Sequence, residues 1–160
     1  MSSQPSIERA ATDKALHHAD ALLAEMKIHI SSFGAKETAD RLATAVGDRG
    51  MTLFARINHA VGAADVGMQL RPTEVLIFGN ALSGTPLMQD AQMIGIDLPM
   101  KVLFWEDNQG SVWLGFNEPS WLAERHGIDP LLESWLSALS FGLEAVAKQA
   151  TAKVRNPFEV

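Results

Sequence analysis

The chain has 160 residues, 47% of them hydrophobic and 20% charged, with 13 basic and 19 acidic side chains and a net charge of −6. That length buries a core without staples, and the acidic balance disfavours nucleic acid or an anionic membrane as partner. The absence of cysteine excludes disulfides, thiolate metal sites and thiol catalysis.

In chain order, Ile7, Ala11, Ala15, Ala19, Leu22 and Leu23 form a weak, alanine-rich helical stripe. The first residues lack a basic region followed by an apolar core and do not read as a signal peptide. No apolar run approaches the roughly 18 residues that span a bilayer, so a cytoplasmic protein without a membrane partner is expected. Lys27 to Ser31 alternates as a short strand, with Ile28 and Ile30 on one face and Lys27 and His29 on the other. Ala35, Ala39, Leu42, Ala43 and Val46 return to helical spacing, stopped at Gly50. Met51, Leu53, Ala55 and Ile57 then alternate against Thr52, Phe54, Arg56 and Asn58, and Asn58 caps a short helix from His59.

Glu74 to Met88 (EVLIFGNALSGTPLM) is the most informative stretch: an apolar strand, a glycine-bracketed loop, then a helix expected to begin at Thr85-Pro86. Gly79 to Gly84 has the spacing of a phosphate loop, but Thr85 stands where the lysine belongs, which removes nucleotide hydrolysis. The strands Pro99–Trp105 and Ser111–Phe116 flank a turn with Gly110, expected to pair Glu106 with Ser111 and so to place Trp105 and Trp113 on opposite faces. Glu118 to His126 is a helix stopped by Gly127, with His126 facing its carbonyl end. Asp129-Pro130 opens a long apolar helix through Trp135, Leu139, Leu143 and Val146. Periodicity leaves open whether that stripe buries itself in its own subunit or on a second copy.

The candidate ligand site joins His59, Asn80, Gly84 and Thr85, with Arg56 or Arg71 as partner for an anion. Helix amides in the glycine loop would hold a carboxylate or phosphate, and His59 would supply one directional hydrogen bond. His17-His18 has no second pair with which to cage a metal, and Glu106 and Asp107 read as a solvated hairpin rim. No cofactor and no metal is called for.

His59-Ala60, Gly67 with Leu70-Arg71-Pro72, Phe78-Gly79-Asn80, Gly84-Thr85-Pro86-Leu87-Met88, Asp97-Leu98-Pro99, Trp105-Glu106-Asp107, Trp113 to Asn117 and Trp121 to Gly127 together resemble the family of domain of unknown function 302, DUF302. The likeness runs from about Ile28 to Ile128, with Ala81 standing where a proline is expected. It implies an α+β fold of the TATA-binding-protein-like group, an antiparallel sheet with helices packed on it, and carries no activity, substrate or cofactor with it. The expected organisation is an N-terminal helical extension (1–25), the DUF302-like domain (26–128), a C-terminal amphipathic helix (129–150) and a tail (151–160). The reading that follows is a small-molecule-binding module, expected as a homodimer. Two alternatives stand beside it: a small enzyme with His59 as general acid or base, and a purely structural dimerisation module.

Overall fold

The computed structural model describes residues 25–153; the N-terminal stripe, His17-His18 and the end of the tail lie outside them. Five strands form one antiparallel sheet in the order β1-β5-β4-β3-β2. They are β1 (Met26–Ile30), β2 (Thr52–Asn58), β3 (Thr73–Gly79), β4 (Met100–Glu106) and β5 (Val112–Asn117). The helices are α1 (Ala35–Asp48), α2 (His59–Asp65), α3 (Ala81–Asp90), α4 (Pro119–His126) and α5 (Glu133–Thr151), with short 3-10 turns at Gln92–Ile96 and Pro130–Leu132.

One face of the sheet carries the core. Leu76 and Phe78 on β3, Met100, Val102 and Phe104 on β4, and Leu114 and Phe116 on β5 pack against α1 through Leu42 and Val46 and against α5 through Leu143, Val146 and Ala150. From Leu136 through Ala150 the apolar stripe of α5 is therefore buried within its own chain, whereas Leu131 and Trp135 at its start stay exposed. A smaller cluster of Leu87, Ile94, Ala123, Ile128 and Leu136 ties α3, the first 3-10 turn, α4 and the start of α5 together. Thr38, fully buried in α1, donates its hydroxyl to the Gly34 carbonyl at 2.9 Å, and among the described residues no buried side-chain nitrogen or oxygen lacks a partner.

The opposite face is also apolar, but none of its side chains joins either core cluster. The registers Ile30↔Trp113, Trp113↔Trp105, Gly115↔Leu103, Leu103↔Val75 and Val75↔Ile57 put these residues on that face together. On β1 it is Ile28 and Ile30 that turn this way. Lys27 and His29 face the helices, where His29 meets Glu144 of α5 at 3.1 Å and Lys27 meets Glu118 at 3.5 Å.

Several local signals act as read. Asn58 caps α2 by accepting from the Val61 N–H at 3.0 Å, and Gly50, Gly110 and Gly127 take φ of 66°, 81° and 64°. Three expectations are corrected. First, the β4–β5 hairpin pairs Glu106 with Val112, not Ser111, so Trp105 lies opposite Trp113 on the same face. The cause is Asp107: its carboxylate accepts from the N–H groups of Gln109 (2.8 Å) and Ser111 (2.9 Å) and from the Trp113 indole (2.8 Å), which widens the loop by one residue. The same bonds, led by that from Trp113, hold the Asp107 carboxyl below its usual range. Second, β2 does not alternate throughout: the register shifts between Leu53 and Ala55, making Phe54 an extra residue. Third, Asp129 caps the 3-10 turn rather than α5 itself, accepting from the Leu131 N–H at 2.8 Å.

Candidate functional site

The proposed site residues do not converge. Asn58, which precedes His59, pairs with Glu74, whereas Gly79 pairs with Thr52 at the other end of the same two strands. Five residues of strand separate the two ends, roughly 17 Å, so His59 and the Gly79–Thr85 loop cannot line one pocket. His59 is exposed on α2 and makes no hydrogen bond among the described residues.

Arg56 is not a free anion partner either. Its guanidinium sits between Glu74, bonded through Nε, and Asp40, at 2.7 Å from Nη1. The Glu74 bond holds the arginine's pKa above its ordinary value, and Lys36 and Arg56 together hold the Asp40 carboxyl below the usual carboxylate range. A Lys36–Asp40–Arg56–Glu74 chain of alternating charge neutralises itself. Its Lys36, Arg56 and Glu74 line a groove of about 730 Å³ together with the polar Asn58 and Thr73 and the apolar Ala60, Val61 and Phe104. Arg71 donates from Nε to the Glu106 carbonyl at 3.1 Å and bolts the approach to β3 onto the hairpin.

At the other end of β3, α3 begins four residues earlier than Thr85-Pro86 suggests. Asn80 is the N-cap, its Oδ1 accepting from the Leu82 N–H at 2.8 Å, while its carbonyl accepts from Ser83 (3.0 Å) and Gly84 (3.1 Å). A single residue thus takes three of the first-turn donors that would otherwise cradle an anion, those of Leu82, Ser83 and Gly84. The sequence signal was present, because Asn followed by an alanine is a good start, but Pro86 at a plausible first position outweighed it. Pro86 instead lies inside the helix, and Ala81 occupies the first helical position, where the proline expected there would also fit.

What the loop does build is a cavity of about 260 Å³. Its walls are Phe54, Met88, Leu98, Pro99, Met100 and Leu139, and its polar groups come from Asn80, Ser83 and Thr85. A second cavity of about 250 Å³ shares Gly79, Asn80, Ser83, Met100 and Leu139 with it and reaches Arg49 and Met51. The walls close in beside Gly79, where a Cβ would sit 3.4 Å from Pro99 Cβ, at the near limit of ordinary contact. A Cβ on Gly84 meets Leu98 and Met88 only at ordinary contact, 3.7 and 3.8 Å, so a longer side chain there would grow into the space.

The wall formed by Leu98 and Pro99 is held by a contact that the sequence did not reveal. His126 stands in the last turn of α4, as expected, and its ring also has a partner outside the helix: Nε2 lies 2.6 Å from Asp97 Oδ2, with the imidazole only 9% exposed. Asp97 ends the 3-10 turn and directly precedes Leu98. Among the described residues no group of three or more His, Asp or Glu side chains could hold a metal ion.

The family model described as domain of unknown function DUF302 matches residues 26–154, which takes in α5 as well as the sheet. Fluoride-specific ion channel FluC 1 of Brucella suis biovar 1 (strain 1330) is 45% identical over 114 residues, covering 71% of this chain and 45% of that protein. Fluoride-specific ion channel FluC 2 of Brucella melitensis biotype 1 (strain ATCC 23456 / CCUG 17765 / NCTC 10094 / 16M) is 45% identical over the same length, covering 42% of it. The chain thus spans less than half the length of the curated relatives it matches. Among solved structures, a DUF302 protein from Bacillus stearothermophilus superposes with a TM-score of 0.70 at 20% identity, covering 78% of this chain and 97% of that one. With a match over nearly all the described fold and a solved relative of the same architecture, the chain belongs to the DUF302 family.

Proposed function

We propose that this chain is a small-molecule-binding module, a cytoplasmic homodimer, whose ligand enters the cavity beside Gly79–Thr85. The observation that carries this reading is the lining of that cavity: six apolar walls with Asn80, Ser83 and Thr85 as its polar groups, the composition typical of sites that enclose an organic ligand. With the α3 amides already occupied by Asn80, the ligand class shifts from an anion to a compact, mainly apolar molecule with one hydrogen-bonding group. Thermal-shift and NMR screening of a fragment library tests it. Apolar fragments bearing one hydroxyl or amide are expected to raise the melting temperature and to perturb Ser83 and Thr85, and Gly84→Leu is expected to abolish both effects while the fold persists. Hits that ignore Gly84→Leu, or none at all, would remove the reading. An acid–base role for His59 finds no support in the site, since among the described residues no carboxylate bonds to the ring.

The relatives favour a second reading, about context. Both Brucella proteins join a stretch similar to this chain to additional sequence and are named fluoride-specific ion channels. Among the described residues no helix is long and apolar enough to cross a membrane, so we propose that this chain acts beside a fluoride channel and not as its pore. Cells deleted for the chain should then accumulate more fluoride and stop growing at lower fluoride, with rescue by the wild type. Equal tolerance with and without it would exclude the association.

A further inference from the structure

The sheet face that joins neither core cluster among the described residues has a chemistry that a free surface does not need. Its centre holds Ile28, Val75, Ile77, Leu103, Trp105 and Trp113, brought together by the strand registers. The Trp105 ring lies across Gly115, 3.2 Å from where a Cβ would stand, so the face is flattened where a side chain would otherwise project. Polar residues appear only at the ends of the strands: Thr52, Thr73, Lys101 and Asn117. An apolar centre inside a polar margin is the anatomy of a protein–protein interface.

Three observations together point to the occupant. The protein carries a net charge of −6, yet no strand residue on this face is acidic; the carboxylate at its margin, Asp107, is held by the Trp113 indole at 2.8 Å and by the Gln109 and Ser111 N–H groups, and the Lys101 ammonium is turned back onto the carbonyls of Asp97 (3.0 Å) and Pro99 (3.2 Å). It is where two acidic copies can approach with little repulsion. Five strands make the face about 20 Å wide and about 20 Å long, or about 400 Å² in projection before side-chain relief is counted, and Ile57 (43% exposed) and Ile30 (60% exposed) extend it at both edges. That is the scale of the apolar centre in a standard interface of about 800 Å² per partner. A single helix, about 10–12 Å across, would cover only about half of that width, whereas a second twisted sheet covers all of it at an angle of about 30°.

We infer that two copies of this chain pair through their open sheet faces about a two-fold axis, with Leu103, Trp105 and Trp113 near its centre. The inference rests on the homodimer reading above and names its surface. Analytical ultracentrifugation of the full chain across a micromolar range tests it, with circular dichroism to confirm that each variant is folded. The wild type should sediment at twice the mass of one chain. Leu103→Lys and Ile57→Glu should each raise the dissociation constant about tenfold or more, because each would bury an unpaired charge. Phe141→Glu, on the outer side of α5 at 78% exposure, should leave it unchanged. A dimer broken by Phe141→Glu but not by the two sheet variants would overturn the surface and keep the dimer. A wild-type monomer would overturn both. If that monomer dimerised on deletion of residues 2–24, the N-terminal segment, not a second copy, would be the occupant, and the inference would equally fall.

Discussion

Leu143→Ala is expected to destabilise the protein by about 2–5 kcal/mol, the cost of a fully enclosed leucine whose surroundings cannot collapse into the space left. Leu143 is 2% exposed and packs in the cluster that joins α5, α1 and the sheet. Its neighbours on α5, Val146, Ala147 and Ala150, have no measurable exposure, so α5 is part of the domain's only large core cluster among the described residues. For a protein whose total stability is of the order of 5–15 kcal/mol, one truncation removes a substantial share. Urea unfolding should show a lower midpoint at an unchanged slope. The discriminating feature is concentration. Because the α5 stripe is buried within one chain, the loss should be the same in dilute and concentrated protein. A loss that appeared only on dilution would mean that Leu143 acts between subunits.

Asp97→Ala is the second large effect, expected to cost about 1–3 kcal/mol. The His126 ring is nearly enclosed, and the aspartate is its partner at 2.6 Å. Removing the acceptor strands a buried polar nitrogen, which costs more than the bond itself contributes. Arg125 Nε, 3.7 Å from the same oxygen and half exposed, regains solvent and adds little. Adding His126→Leu to Asp97→Ala should recover part of the loss, since an apolar pair leaves nothing unsatisfied. The double-mutant cycle in urea measures that recovery. Because Asp97 anchors the segment leading into Leu98 and Pro99, Asp97→Ala should also weaken fragment binding in the Gly79–Thr85 cavity. A change in stability within about 0.5 kcal/mol of wild type would show that the pair is incidental.

Much of the architecture was legible in residue order. The alternation of Ile28 with His29, the helical spacing of Leu42 and Val46, the Asn58 cap and the glycine stops at 50, 110 and 127 each act through a few neighbouring residues, and each is found where the pattern places it. The ordered DUF302 motifs added the antiparallel sheet. The candidate site was legible only in its loop: Asn80, Gly84 and Thr85 line a cavity together, whereas His59, Arg56 and Arg71 stand at the other end of β3. No local pattern carries that distance, because it depends on which residue of β2 faces which residue of β3.

By itself the sequence determined where strands and helices begin and end to within a few residues, where glycine must supply a left-handed turn, and which loop would be lined by small polar residues. Tertiary structure alone decided the extra residue at Phe54, the sheet face that joins neither core cluster among the described residues, the burial of α5 from Leu136 onwards and the His126–Asp97 pair. The reason is physical. Caps and turns depend on backbone conformation within one turn of chain, but a register, a buried face or a charge pair depends on elements that lie well apart in the sequence, 29 residues for His126 and Asp97 and 115 for His29 and Glu144. The polar and charged groups that compete for each such contact look alike in one dimension, and packing chooses among them.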